Sequence, residues 1–238
     1  MSDADGKRGT FVLVHGAWSD ESVYTPVAEI LRAKGHRVFT PTLTGVGRRA
    51  HLARPDVDIP THVEDVVNEI RFDRLSNIVL VGHSYGGMVI SGIADKIPEL
   101  ISSIVYLDAF VPEDGKALVD MGVSPAVSQM QRDAWDRGET TASLPEPFIE
   151  EFQIPKEELW QFTPHPLACF VKPIRLKGAY KTIKKKTFVL ATKFEPGFQV
   201  FYDRLKDDPS WNTVTVPTNH MVQLEMPERC AEILEAAI

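Results

Sequence analysis

Residues 78–87 read Ile-Val-Leu-Val-Gly-His-Ser-Tyr-Gly-Gly, and this stretch decides the fold class. An aliphatic run stops at Gly82, and a helical pattern begins at Met88. The stretch therefore predicts a buried strand, a tight turn and a helix, with Ser84 at the apex of the turn. Glycines two residues to either side of Ser84 allow neighbouring backbone to come close, so the serine is pushed out above the sheet.

The Gly-x-Ser-x-Gly pattern is weak by itself, because chance alone supplies it in some chains of this length. Its meaning comes from the strand before it and the helix after it, a context that predicts a nucleophile held on a strained turn. The alternative is a serine in an ordinary turn near a helix N-terminus. A nucleophile also needs chemical partners, which the rest of the chain has to supply.

The whole chain has the composition of an ordinary globular protein, with 238 residues, 43% of them hydrophobic and 25% charged. Its length fits one domain. The formal net charge of −7 argues against a nucleic-acid partner, which would require a basic surface. The dense basic run 181–186 is interpreted as a solvated face that leads into a buried strand.

No apolar stretch of the sequence approaches the roughly 18 residues that a membrane span requires, and residues 2–10 lack the apolar region of a signal peptide. We therefore expect a cytoplasmic protein with no membrane partner. Cys169 and Cys230 have no metal-ligand spacing around them, so we expect reduced thiols, no metal and no cofactor. The expected partner is a small-molecule substrate, and the sequence is compatible with a homodimer.

Strands and helices alternate through most of the chain. Apolar runs predict buried strands at residues 11–14, 37–42, 77–81, 101–107, 187–191 and 213–216. Helical patterns predict helices over 22–33, from 61 onward, and over 84–96, 198–205 and 227–237. This rhythm predicts an α/β fold with an open, mostly parallel sheet of about six strands flanked by helices.

The rhythm breaks between residues 112 and 173, which are rich in Pro, Asp and Glu but interleaved with aromatic residues. Short helical pieces without strand alternation predict a helical cap over one end of the sheet, since long excursions from a compact domain are usually functional. Residues 1–111 and 174–238 would then form the core. The alternative is a peripheral excursion with a small core of its own.

Three polar residues follow predicted strands: Ser84, Asp108 and His220. A serine hydroxyl needs a base to take its proton as it attacks, and the base needs an acid that fixes its tautomer. We predict Ser84 as nucleophile, His220 as base and Asp108 as acid, all at the carboxyl edge of the sheet. The alternative for His220 is a solvated loop histidine. His83 is expected to point into packing, and His15 to shape the loop above the first strand.

A developing oxyanion requires preorganised N–H donors. The predicted donors are the backbone N–H groups of Ala17, in the loop after the first strand, and of Tyr85. Gly16 lets that loop pass close to the substrate. We expect the aromatic cap residues to line an apolar pocket. The predicted substrate contacts are Gly16, Trp18, Trp135, Trp160, Phe162 and Met221.

Four stretches resemble the α/β-hydrolase superfamily, namely residues 11–18, 34–38, 79–88 and 219–222. More narrowly, they are similar to the group that holds plant methylesterases and hydroxynitrile lyases, with bacterial esterases beside them. The resemblance covers nearly all of the chain outside the predicted cap. It implies a nucleophile at Ser84, a base at His220 and oxyanion donors at Ala17 and Tyr85.

Two positions separate esterases from lyases within this resemblance. The lyases carry a threonine where Gly16 stands and a lysine directly after the base, where this chain has Met221. The resemblance therefore implies hydrolysis of a small, largely apolar ester, lactone or carbamate through an acyl-enzyme on Ser84. Two alternatives stay open: a lyase or cofactor-free oxygenase that uses His220 as base without acylation, and a ligand receptor on the hydrolase fold.

The acid departs from the resemblance. The family usually places it after the strand that precedes the last one, but residues 191–196 contain Glu195 and no aspartate. Asp108 follows the strand after the nucleophile, a site that some α/β hydrolases use, and it is our predicted acid. Glu195 is the main alternative. The remaining candidates are Asp203, Asp207 and Asp208.

Overall fold

The computed structural model describes residues 8–151, 156–194 and 197–238. Its strands β1 to β8 are, in chain order, Thr10–Val14, Arg37–Phe39, Ile78–Ser84, Ile101–Ala109, Thr141–Ala142, His165–Pro166, Lys185–Ala191 and Trp211–Val216. Its α-helices α1 to α9 are Thr25–Ala33, Ile59–Phe72, Gly86–Lys96, Pro125–Asp136, Glu146–Glu151, Ala168–Val171, Gln199–Leu205, Val222–Glu225 and Pro227–Glu235.

The main sheet has six strands in the order β2-β1-β3-β4-β7-β8, and every neighbouring pair is parallel. This confirms the predicted α/β class and the open parallel sheet. The central strands β1, β3 and β4 are buried over almost their whole length, which explains why they are continuous apolar runs rather than alternating ones.

The chain adds β2 on one side of β1 and β3 on the other side. The direction in which successive strands are added to the sheet therefore reverses between β2 and β3. Because βαβ crossovers are right-handed, the reversal sends α1 to one face of the sheet and α2, α3 and α7 to the other. The packing of α1 against α9 and of α2 against α3 agrees with this division. Ligands bind at such a reversal point, beyond the carboxyl ends of the strands, which here lies between β1 and β3.

Residues 112–173 contain more than helices. The short strands β5 and β6 pair in an antiparallel sense, with Ala142 opposite His165, so the expectation of a segment without strands was wrong. Strands of two residues are too short for hydropathy alternation to appear in the sequence. The division of the chain into a core and a cap stays a prediction.

Helix α2 begins at Ile59, whereas the Thr61-x-x-Glu64 pattern is typical of a capping box and predicts Thr61 as the cap. Asp58 caps it by accepting a hydrogen bond from the Thr61 N–H, and Pro60 lies in the first turn, where a missing N–H costs nothing. Thr61 is therefore the third helical residue, not the cap. Among the described residues no helix has both the length and the apolar character needed to cross a bilayer.

Candidate functional site

Ser84 occupies the end of β3, in the turn that leads to α3. Its backbone has a φ of 54°, in the left-handed region that non-glycine residues rarely adopt. Helix and sheet meet closely behind it, since a Cβ atom on Gly86 would lie 2.6 Å from the Val14 carbonyl oxygen. The strained strand-turn-helix predicted from the sequence is therefore present, with the serine at its apex.

The loop after β1 passes directly over this turn. A Cβ atom on Gly16 would lie 3.1 Å from the Ser84 Cβ, so glycine permits the approach. His15 holds the loop, because its Nδ1–H donates to the Gly16 carbonyl at 2.8 Å and its Nε2 accepts from the Leu43 N–H at 3.1 Å. Both bonds need a neutral ring, and burial lowers the pKa of His15 to about 4.

The side chain of Tyr85 is anchored by buried hydrogen bonds. Its hydroxyl donates to Nδ1 of His62 at 2.9 Å, and the His62 Nε2–H donates to the Thr44 carbonyl at 2.8 Å. Burial lowers the pKa of His62, which keeps the ring neutral and this tautomer in place. Tyr85 immediately precedes α3, where backbone N–H groups lack intrahelical partners, so its N–H is suited to an oxyanion.

His220 and Asp108 form a buried pair. The His220 Nδ1–H donates to Oδ2 of Asp108 at 2.7 Å, and the Ala191 N–H donates to Oδ1 at 3.0 Å. Burial lowers the pKa of His220 and raises that of Asp108, because desolvation penalises both charged forms. Their hydrogen bond opposes both shifts, since the carboxylate stabilises an imidazolium. His220 is thus a neutral base oriented by Asp108, whose own φ is 44°.

His83 was expected from the sequence to point into packing, away from the site, but the structure places it beside His220. It lines the same cavity, and its Nε2–H donates to the His220 carbonyl at 2.9 Å. The two imidazole rings have centroids 4.4 Å apart. The ring of His220 also stacks on the ring of Phe198, with centroids 5.2 Å apart and an interplanar angle of 8°. The base is therefore held by contacts with several rings.

Ser84, His220, Gly16, Ala17 and Tyr85 all line one cavity. Its empty volume, including the open mouth, is about 750 Å³. Most of the remaining wall is apolar. Residues 112–173 supply Leu118, Val123, Val127, Leu144, Phe148 and Phe162, among others. Aromatic residues from the rest of the chain include Trp18, Phe110, Phe194 and Phe198.

The predicted substrate contacts divide into two groups. Gly16, Trp18, Phe162 and Met221 line the cavity, whereas Trp135 and Trp160 do not and are 37% and 79% exposed. Trp135 lies near the end of α4, whose buried face carries Val127, Gln131 and Ala134, and Trp160 lies in the short 3₁₀ segment Lys156–Gln161. Hydrophobicity alone did not tell the two faces of these elements apart.

Trp18 also joins the loop after β1 to residues 112–173. Its indole Nε1–H donates to the Ala142 carbonyl at 2.9 Å, and its own carbonyl accepts from the Thr163 N–H at 2.8 Å. Its φ of 63° is again in the left-handed region. The wall that carries Ala17 is therefore tied to the opposite wall of the cavity by one residue.

The three alternative aspartates do not reach the pair. Asp203 is exposed on α7 and binds Lys206, and Asp207 and Asp208 are exposed in the turn that follows. Glu195 lies outside the described residues. Among the residues that the structure describes, Asp108 is the carboxylate that pairs with His220.

Sequence reasoning missed several residues of the cavity. Phe148 and Phe170 lie in the aromatic-rich segment, but no feature of the sequence set them apart from Trp135 and Trp160. Gln131 is the most informative omission, because it shares a buried helical face with Val127 and Ala134. That spacing of three and four residues is visible in the sequence.

Three buried side chains near the site have the donor types of a metal centre. The potential ligand atoms of His62, His165 and Cys169 lie within 4.8 Å of one another. However, the Trp18 N–H donates to Nδ1 of His165 at 3.3 Å, which puts the ring proton on Nε2, where a metal would need a lone pair. Burial also raises the pKa of Cys169 to about 12. These residues fit a neutral polar cluster better than a metal site.

Comparison with known proteins agrees with the fold and the geometry. The model of the alpha/beta hydrolase family matches residues 11–233. A carbendazim hydrolyzing esterase from Nocardioides sp. is 40% identical over 237 residues, covering 95% of this chain and 98% of the relative. Salicylic acid-binding protein 2 from Nicotiana tabacum is 27% identical over 98% of both chains.

Among solved structures, an extracellular α/β-hydrolase from a Paenibacillus species superimposes with a TM-score of 0.83. It is 26% identical and covers 96% of this chain and 98% of its own. The fold and the matches define the class: this chain belongs to the alpha/beta hydrolase family. Within that family it is an enzyme of the esterase type.

Proposed function

We propose that this protein is a cofactor-independent serine hydrolase that cleaves small, largely apolar esters, lactones or carbamates through an acyl-enzyme. One observation carries the proposal most directly. The Asp108–His220 hydrogen bond of 2.7 Å lies at the cavity that also holds Ser84 on its left-handed turn. A neutral base, an acid that fixes its tautomer and a projecting hydroxyl are what acyl transfer by serine needs.

In the first step, the Ser84 hydroxyl attacks the substrate carbonyl while Nε2 of His220 takes its proton. Asp108 accepts the Nδ1–H and stabilises the imidazolium as it forms. The N–H groups of Ala17 and Tyr85 donate to the oxygen that becomes negative. The imidazolium then returns its proton to the leaving alcohol, and the acyl group stays on Ser84.

In the second step, water repeats the attack on the acyl-enzyme with His220 again as base, which releases the acid and restores Ser84. For a carbamate ester, the released carbamic acid loses CO₂. Residues 112–173 act as a cap whose apolar side chains surround the substrate body. The apolar wall supports substrates with few charges, because a charged group buried there would lack partners.

The position of Gly16 supports hydrolysis over the lyase alternative. A Cβ atom there would already be 3.1 Å from Ser84 Cβ and from the ring of His83, so a threonine would crowd the turn. Met221 lines the cavity at the position after the base and offers no charge for a cyanide leaving group.

The test is covalent labelling together with turnover. Wild-type protein should react with a fluorophosphonate and release a burst of product from an activated aryl ester. Ser84→Ala should lose both, with turnover reduced by about 10⁶-fold, as in other serine triads. Ser128→Ala, at a second serine of the cavity wall, is the matched control and should stay labelled. Undiminished labelling of Ser84→Ala would overturn the proposal. Carbendazim belongs in the first substrate panel, because a carbendazim hydrolyzing esterase is 40% identical to this chain.

A further inference from the structure

His165 is a buried histidine that the acyl-transfer steps do not use. It is fully buried, it belongs to β6 in the segment 112–173, and it is not among the residues that line the cavity. Its Nε2 has no hydrogen-bond partner among the described residues, which costs free energy in a buried site. Packing alone does not account for a histidine here, because an aliphatic side chain would avoid that cost.

The other ring nitrogen of His165 holds the backbone of Trp18. The Trp18 N–H donates to Nδ1 at 3.3 Å, and two further bonds join Trp18 to the carbonyl of Ala142 and the N–H of Thr163. Ala142 and His165 are partners in the β5–β6 pair. Because the φ of Trp18 is 63°, this backbone conformation persists only where surrounding contacts hold it. The β5–β6 pair and its neighbour Thr163 supply such contacts.

The peptide plane that His165 holds is next to the predicted oxyanion donor. The N–H of Trp18 belongs to the peptide that follows Ala17, and the N–H of Ala17 belongs to the peptide before it. Since each peptide is planar, the direction of the Ala17 N–H depends on how these two planes are held. His15 holds the first plane through the Gly16 carbonyl at 2.8 Å. His165 holds the second plane from the opposite side.

The ring of His165 is itself fixed and neutral. It stacks on the ring of Phe170 with centroids 4.7 Å apart, and it meets the ring of Tyr85 edge-on with centroids 4.8 Å apart. Burial lowers the pKa of His165 well below its ordinary value, so Nδ1 keeps the lone pair that accepts the Trp18 N–H. The ring therefore packs beside Tyr85, the residue of the second predicted oxyanion donor, while it bonds to the neighbour of the first.

We propose that His165 is a positioning residue that holds the Ala17 N–H toward the oxyanion by accepting the hydrogen bond of the Trp18 N–H. The inference rests on the proposed hydrolase function and deepens it, because the oxyanion hole then depends on a residue from 112–173. A donor aimed at developing charge stabilises the transition state more than the bound substrate. Loss of the Trp18 bond should consequently lower kcat and leave KM nearly unchanged.

The experiment compares two substitutions at His165. His165→Leu removes the acceptor, whereas His165→Asn places a carbonyl oxygen near the position of Nδ1. With an activated aryl ester, we expect His165→Leu to lower kcat by about 10-fold, less than the loss of a whole oxyanion donor. His165→Asn should restore most of that loss. A rise in KM with kcat unchanged in His165→Leu would overturn the inference.

An aryl trifluoromethyl ketone tests the oxyanion directly. Its carbonyl adds the Ser84 oxygen to form a hemiketal oxyanion, while His220 takes the serine proton. The inhibition constant should rise in His165→Leu by the same factor by which kcat falls, because the adduct resembles the transition state. An inhibition constant equal to that of the wild type would contradict a role at the oxyanion.

Cys169→Ala is the matched control. Cys169 is buried in the same cluster, but its sulfur lies near the Val57 carbonyl and His62, and it makes no contact with the Trp18 backbone. Removing the sulfur loosens the cluster from another side, so kcat and the inhibition constant should stay unchanged. An equal fall in kcat in Cys169→Ala and His165→Leu would assign the effect to general loosening and overturn the inference.

Hydrogen exchange of the Trp18 amide separates this inference from failure of the hydrolase function. Exchange should become at least about 10-fold faster in His165→Leu, but not in His165→Asn or Cys169→Ala, whether or not the protein forms an acyl-enzyme. Unchanged exchange in His165→Leu would overturn the inference. If Ser84→Ala still turned substrate over, the mechanism would fail while the exchange rate still reported the bond.

Urea denaturation shows whether His165→Leu folds. If that variant gave no cooperative transition, His165→Gln would replace it, because its amide oxygen lies near the position of Nε2 rather than Nδ1. His165→Gln should then show the lower kcat and the faster Trp18 exchange that His165→Asn does not. Equal behaviour of the Asn and Gln variants would overturn the inference.

Discussion

The two walls of the cavity are built in opposite ways. The sheet wall, formed by Gly16, Ala17, Ser84, Tyr85 and His220, is held from behind by hydrogen bonds of buried histidines and a carboxylate. The cap wall, contributed by residues 112–173, is mostly apolar and belongs to short elements. For the proposed acyl transfer, we infer that the sheet wall is preorganised for developing charge and that the cap wall sets the shape of the ligand.

The largest effect should come from breaking the sheet wall at its acid. Asp108→Asn should lower kcat by about 10⁴-fold, because an amide holds His220 in the wrong tautomer. Steady-state kinetics on an activated ester measures the loss. Asp203→Asn, at an exposed acid of α7, is the matched control, and Glu195→Gln tests the alternative acid. Near-normal activity of Asp108→Asn would contradict the assignment.

A second way to break the sheet wall is to crowd its close contacts. A Cβ atom on Gly87 would lie 2.1 Å from the Phe110 carbonyl oxygen, so Gly87→Ala should lower the free energy of unfolding by about 3 kcal/mol. Gly122, which precedes α4, has no atom within 4 Å of such a Cβ, and its φ is 77°. Gly122→Ala should cost only about 1 kcal/mol of backbone strain. Urea denaturation distinguishes the two, and equal losses would remove the contrast.

Substitutions in the cap wall should affect binding more than chemistry. Phe162→Ala removes apolar surface from the cavity and should raise KM for an apolar ester by about 10-fold, with kcat changed less. Trp160→Ala is the matched control two residues away, since its side chain is 79% exposed and outside the cavity. A similar rise in KM for Trp160→Ala would show that the cap closes differently around its ligand.

The buried histidines behind the sheet wall predict a dependence of stability on pH. The folded pKa of His15 is about 4 and the unfolded value is about 6.5, so the unfolded chain binds more protons between these values. The contribution of His15 to stability is therefore fully present above pH 6.5 and is lost as the pH drops toward 4. His15→Gln should reduce this slope by about 1 kcal/mol per pH unit.

Urea denaturation at pH 7.5 and pH 5.5 measures this effect, with His51→Gln as the control at an exposed histidine. The comparison of the two variants matters because the other buried histidines also contribute to the slope. An unchanged slope in His15→Gln would contradict a neutral His15 in the folded protein.

The sequence was sufficient for the sheet wall because each of its residues follows a strand. Buried parallel strands are continuous apolar runs, so their ends are easy to find, and Ser84, Asp108 and His220 stand at such ends. Gly16 was predicted to let its loop pass close to the substrate, and the structure places it against the Ser84 turn. Even His15 was assigned to its loop, although one of its two hydrogen bonds is to Leu43, 28 residues away.

The cap wall was much less predictable. Its two-residue strands leave no alternation, and on its short helices an aromatic side chain faces the ligand or the solvent according to contacts made far along the chain. Trp18, for example, reaches across to Ala142. The orientation of His83 was not predicted for the same reason, since its hydrogen-bond partner is the distant carbonyl of His220. The local periodicity of a sequence does not indicate such long-range contacts.

The bond between the Ala191 N–H and Asp108 has a spectroscopic consequence. The β4–β7 ladder pairs Leu107 with Val189, and two residues further along β7 the carboxylate accepts the Ala191 N–H. This single amide proton therefore senses the charge on Asp108 directly. In a ¹⁵N-edited NMR spectrum its resonance would report, without any substrate, when the carboxylate gains or loses its proton.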